Sequence, residues 1–136
     1  MDASVALAWF LPDEKPAVLE YSHSVLDFLN REVHQAVVPA IWHMEVAAVL
    51  LRRLRGRSLA EKVFDHALRT FAALPLETHK ETPAVGEIVD IARRYQLQAG
   101  DAIYFELAYA SDLPIATVDR GLRAAARAYG VKFFAA

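Results

Sequence analysis

The chain has 136 residues, 55% of them hydrophobic, with a formal net charge of −2 and no cysteine. That length and hydrophobicity fit one folded domain over residues 1–136 and exclude intrinsic disorder, while near-neutral charge leaves any nucleic-acid binding to local patches. The missing cysteines exclude disulfide frameworks, thiolate zinc sites and cysteine nucleophiles.

No apolar run approaches the roughly 20 residues that a membrane-spanning helix needs. The start, Met-Asp-Ala-Ser, lacks the basic stretch of a secretory signal. The expectation is a soluble, cytoplasmic protein with no membrane partner.

Punctuation by Pro12, Pro16, Pro39, Gly56, Pro75, Pro83, Gly100, Pro114 and Gly130 divides a mostly helical pattern. In chain order the periodicity predicts helices over Ser4–Leu11, Ala17–Arg31, Ala40–Arg55 and Ser58–Ala73, then over Pro83–Tyr95, Asp101–Ala110 and Arg120–Tyr129. Short apolar or β-branched runs at Ala36–Val38, Leu76–Thr78, Ile115–Val118 and Val131–Phe134 predict strands buried on both faces. Strands alternating with helices predict an α/β fold, with a parallel sheet covered on both sides.

Four acids stand out. Glu45 lies on the margin of the stripe formed by Trp42, Val46, Val49 and Leu50, sharing its helix face with Ile41, Ala48 and Arg52. Asp101 shares a face with Tyr104, Phe105 and Ala108, the buried side of its helix. Glu106 falls on the far side and is expected in solvent. Asp2 and Asp119 precede helices, with Ser4 and Thr117 placed to support a carboxylate or a metal-bound water. Ordinary explanations stand beside these. Asp at a helix start is a common cap, and a mid-helix Glu can be a surface group or pair with Arg52.

The coincidence of four acids matters more than any one. Oxygen-only ligands suit Mg2+ or Mn2+, and phosphodiester hydrolysis is the chemistry such a set serves best. On this reading the four carboxylates face one point.

At these residues the sequence resembles the PIN-domain family, and within it the VapC-type toxins of bacterial toxin–antitoxin pairs. The matching stretches are Asp2-Ala-Ser-Val-Ala-Leu-Ala-Trp-Phe, Pro39-Ala-Ile-Trp-His-Met-Glu-Val-Ala-Ala-Val-Leu, Asp101-Ala-Ile-Tyr-Phe-Glu-Leu-Ala and Leu113-Pro-Ile-Ala-Thr-Val-Asp-Arg-Gly-Leu. The resemblance covers nearly the whole chain. It implies a three-layer α/β/α sandwich around a short parallel sheet. It also implies an endoribonuclease whose Asp2, Glu45, Asp101 and Asp119 bind Mg2+ or Mn2+, with Ser4 and Thr117 in supporting positions. A homodimer inhibited by a small VapB-like antitoxin is implied as well.

Two departures bear on this. Only Met1 precedes Asp2 where the family has several apolar residues, so either the first strand is shortened or this start omits residues of the native protein, and Asp2 is expected to be held least firmly. Ala48 stands where the family often has Asn, so metal affinity or activity is expected to be reduced.

Arg52, Arg53, Arg55 and Arg57 end the Glu45 helix, and Arg120, Arg123 and Arg127 follow Asp119. Arg52 and Arg120 are the candidates for meeting RNA phosphates; a solvated charged face is the plainer explanation. The five histidines lack metal-ligand spacing. Trp9, Phe10 and Ala17–Leu29 would serve as core or as a dimer or antitoxin surface.

Two readings from other classes complete the set. A phosphoacceptor module needs paired acids after its first strand and a late lysine, which Asp2-Ala3-Ser4 and the lone Lys132 do not supply. A weakened PIN domain that binds RNA or antitoxin without cutting is the alternative that Ala48 and the short start keep open. No glycine-rich dinucleotide motif or serine elbow occurs.

Overall fold

A computed structural model describes residues 1–11, 14–31 and 33–135. The turn mark at Pro12 lies outside them. Among the described residues the order is α1 (Ala3–Ala8), α2 (Pro16–Leu29), β1 (Ala36–Pro39), α3 (Ile41–Arg55), α4 (Glu61–Ala73), β2 (Leu76–His79), α5 (Val85–Tyr95), α6 (Ala99–Ala110) and α7 (Arg120–Tyr129). The molecule is an α/β/α fold around a short parallel sheet, as expected. No described helix is long and apolar enough to cross a membrane.

The helices fall where periodicity puts them, with ends set by local chemistry. Pro16 opens α2 at a position whose N–H has no helical partner. Gly130 ends α7 with φ of 77°, a left-handed conformation that costs glycine little. At α6 the helix begins two residues before the expected Asp101, which moves that acid from the helix start to the third position.

Two of the four expected strands form, each one residue longer than its apolar run, and the other two are reduced to a single bridge. β1 and β2 pair in parallel, from Ala36 opposite Leu76 to Pro39 opposite His79. The runs at Ile115–Val118 and Val131–Phe134 meet only in one parallel bridge, Ile115 to Phe133. Pro114 lacks a donor, and α7 begins at Arg120, so little chain remains for a ladder.

Met1 and Asp2 link β1 to the Ile115 segment. The Met1 amine donates to Val37 O at 2.8 Å, and Asp2 N donates to Ala116 O at 2.9 Å. Residues 1 and 2 thus bond on one side to β1 and on the other to the Ile115 segment without forming a strand. Burial pushes the Met1 amine down to about 6, against the pull of Asp2. Beyond Met1 lies an apolar cavity of about 220 Å³, bordered by Val25, Leu29, Val37, Leu107 and Ile115.

Helix α6 passes through the centre, with Ala102, Ile103, Tyr104, Phe105 and Ala108 all buried. Trp42, Leu50, Leu122 and Val38 pack the same core. Trp9 and Phe10 pack against that core, and Phe10 meets Phe71 edge-on at 5.3 Å. Of the two roles open to them, core is the one their packing favours. Arg123 lies over Tyr21 and Phe133, and Arg127 over Phe133, so both are engaged with aromatic rings.

Candidate active site

The four acids arrive from four parts of the chain. Asp2 precedes α1, Glu45 sits in the middle of α3, Asp101 in the first turn of α6, and Asp119 at the start of α7.

Asp2 has the fullest set of partners. It is only 7% exposed. Its Oδ1 accepts from Ser4 N at 3.2 Å, and its Oδ2 accepts from Ser4 Oγ at 2.5 Å and Thr117 Oγ1 at 2.6 Å. The expectation that Asp2 would be held least firmly is reversed. Three donors, Ser4 N, Ser4 Oγ and Thr117 Oγ1, hold it in place.

Thr117 is fully buried and serves two acids, because its Oγ1 also accepts from Asp119 N at 3.0 Å. Asp119 in turn accepts from Leu122 N at 2.8 Å, capping α7. Asp2 caps α1 in the same way. The ordinary explanation of both acids as caps is therefore correct as geometry, and it coexists with their placement beside each other.

Asp101 does not cap its helix; the cap position belongs to Gln98. Half-buried, its carboxyl is pushed up to about 6, first by burial and then by the charges of Asp119, Asp2 and Glu45. That list of neighbours locates the site: Asp101 feels the other three acids at once. Glu45 is also raised by burial and by Asp2, although a hydrogen bond from Tyr104 works the other way. Among the described residues no ion pair engages any of the four.

The carboxylates nevertheless do not form a ligand shell. Among the described residues no three His, Asp or Glu side chains come together closely enough to hold a metal ion. The side chains are spread over protein donors instead, and the expectation that all four serve one ion stands as a proposal. The physical reason lies in their partners and charge. Asp2 is turned onto Ser4 and Thr117, Glu45 onto Tyr104, and Asp119 onto the α7 amide, while like charges repel. As a donor set the four fit a hard divalent cation: all oxygen and mutually repelling.

Tyr104 is the member that sequence reasoning missed. It was counted as part of an apolar face, yet its hydroxyl donates to Glu45 Oε2. The signal was present, since a buried tyrosine hydroxyl needs a partner and Glu45 needed one too. Burial, the bond to Glu45 and the charges of Glu45 and Asp2 together raise the Tyr104 hydroxyl above the usual tyrosine range. Gly100 completes the contact. A Cβ placed there would lie 3.3 Å from Glu45 Oε1.

Other candidates fall outside this cluster. Arg52 and Arg120 are exposed, as is Ala48. His43 bonds to Thr78 Oγ1 at 2.8 Å, His34 stacks on Phe28, and His66 meets Phe10 edge-on. Glu106 is partly buried and borders a small second cavity, so it is less solvated than its helix position suggests.

The PIN domain family matches residues 1–128. Among solved structures, that of PAE2754 from Pyrobaculum aerophilum is similar, with a TM-score of 0.59 and 21% identity. The similarity covers 91% of this chain and 81% of that one, and at this identity it speaks to the fold. No curated protein matches.

Proposed function

The chain belongs to the PIN domain family, and on that basis we propose that it is a Mg2+- or Mn2+-dependent endoribonuclease acting through Asp2, Glu45, Asp101 and Asp119. PIN domains are typically nucleases. The observation that carries the residue assignment is Asp101, half-buried and raised to about 6 first by burial and then by the charges of Asp119, Asp2 and Glu45. Such a concentration of charge is costly for the fold and is relieved by a bound divalent ion.

When bound, the ion supplies Lewis acidity toward a phosphate oxygen and an activated water. The chain's own groups hold and shield the acids. Ser4 and Thr117 fix Asp2, and Thr117 also steadies the backbone at Asp119. Asp101 stands half-buried in the first turn of α6, where it feels the charges of the other three. Arg52 and Arg120, exposed at the C-terminal end of α3 and the start of α7, are the proposed contacts to RNA phosphates.

The finer role proposed is the toxin of a VapBC-type pair: a cytoplasmic homodimer held inactive by a small VapB-like antitoxin. Support comes from the ordered motifs around the four acids. The decisive experiment is cleavage of single-stranded RNA with Mg2+ or Mn2+, expected to stop with a chelator or with Asp101→Asn. Cleavage that survives both would sink the mechanism. For the toxin role, growth arrest on expression should be relieved by the neighbouring gene.

A second reading has its own observation. Asp2, Glu45 and Asp119 are turned onto protein donors, and Ala48 offers Glu45 no polar side chain where the family often has Asn, which favours a weakened PIN domain that binds RNA or antitoxin without cutting. Tight RNA binding with no product under any divalent ion would favour it.

A further inference from the structure

Glu45 is gripped from two sides by one turn of α6. The Tyr104 hydroxyl donates to Oε2, and the Gly100 backbone lies against Oε1 so closely that a Cβ would stand 3.3 Å away. Residues four apart lie on one helical face, so Gly100 and Tyr104 act as two jaws, with Asp101 beside them. Tyr104 itself has little freedom: it is 5% exposed and packed into the core around Phe105 and Trp42. Its ring is fixed, and the hydroxyl is therefore fixed as well.

We propose that Tyr104 is a positioning residue for Glu45, holding Oε2 so that Oε1 is the oxygen offered to a divalent cation next to Asp101. The inference rests on the reading of Glu45 as an ion ligand. A carboxylate on a three-bond stem has many rotamers, and ordering one costs free energy at the moment of binding. A hydroxyl that already holds one oxygen removes most of that cost, as outer partners of metal ligands generally do. Gly100 serves the same end by keeping space open against the offered oxygen. A Cβ there would crowd that oxygen and make the carboxylate give way.

The test is a double-mutant cycle read by Mn2+ binding to the intact chain, measured as free Mn2+ by electron paramagnetic resonance. Tyr104→Phe keeps the ring and removes the hydroxyl. Mn2+ affinity is expected to fall about ten-fold, within the range that outer partners of metal ligands show. In a Glu45→Gln background, where affinity is already reduced, the same substitution is expected to change it less than two-fold. A loss that persists undiminished in that background would mean that Tyr104 acts through packing, and would overturn the proposal. So would a Tyr104→Phe protein that binds Mn2+ like the wild type. A wild-type chain that binds no Mn2+ would instead overturn the metal reading itself, and this one with it. Should Tyr104→Phe not fold, Gly100→Ala probes the same carboxylate from the other jaw with the hydroxyl in place. It should lower Mn2+ affinity in the wild-type background and not in Glu45→Gln; unchanged affinity would overturn the proposal.

Discussion

Thr117 and Asp2, 115 positions apart, are joined by a hydrogen bond of 2.6 Å from the threonine hydroxyl to Oδ2. The same hydroxyl receives the Asp119 amide. Thr117→Val keeps the shape and deletes both bonds, leaving a buried carboxylate oxygen and an amide short of partners. The expected cost is about 1–3 kcal/mol of stability, measured by urea unfolding. RNA cleavage should fall as well, because two acids lose a shared anchor. A variant as stable and as active as the wild type would contradict this account of Thr117.

The Asp101 carboxyl, at about 6 in the folded chain against an ordinary 3.8, sets a pH dependence. Between roughly pH 4 and 6 the folded chain keeps a proton that the unfolded chain has lost. The stability from that proton is complete below pH 4 and disappears as pH rises through 6. Asp101→Asn removes the charge, so without divalent ions the variant should melt higher than the wild type at pH 7.5 and equally at pH 4. Solvent screening at this half-exposed group keeps the difference modest. A variant that melts lower at pH 7.5 would refute the assignment of unrelieved charge.

Divalent ions should reverse that order. At a concentration 100 times its dissociation constant, Mg2+ or Mn2+ should stabilise the folded chain by about 2.7 kcal/mol. The effect should be larger at pH 7.5 than at pH 5.5, where protons compete for Asp101. Thermal unfolding with and without a chelator reads this directly. Asp101→Asn should show little or no shift, and an equal shift in the variant would place the ion elsewhere.

Arg52→Ala and Arg120→Ala address substrate binding. Each should weaken RNA binding regardless of sequence and reduce the slope of log affinity against log salt by about 1. KM should rise several-fold while kcat stays near the wild-type value. A fall in kcat with unchanged KM would assign these arginines to the chemistry instead.

Helices were legible because α2, α3 and α7 repeat their apolar positions at helical spacing, and only the ends moved. The strands were less so. Residues 115–118 and 131–134 look like strands in composition, but pairing depends on distant backbone that no local pattern encodes, and Pro114 removes a donor. The faces of Glu45 and Asp101 were readable for the same reason as the helices. The Thr117–Asp2 bond was foreseen only as a type of support, and the Tyr104 grip on Glu45 not at all, since each depends on how α6 passes α3 and how the first two residues link β1 to the Ile115 segment.

That link has a practical side. The Met1 amine is spent on Val37, with an apolar cavity just beyond it. An affinity tag joined to Met1 would turn the buried amine that donates to Val37 into an amide beside that cavity. Fusion after the exposed Ala135 disturbs neither. Purified side by side, the N-terminally tagged protein should melt lower and recover on removal of the tag. A negative activity assay on such a fusion would describe the tag and not the enzyme.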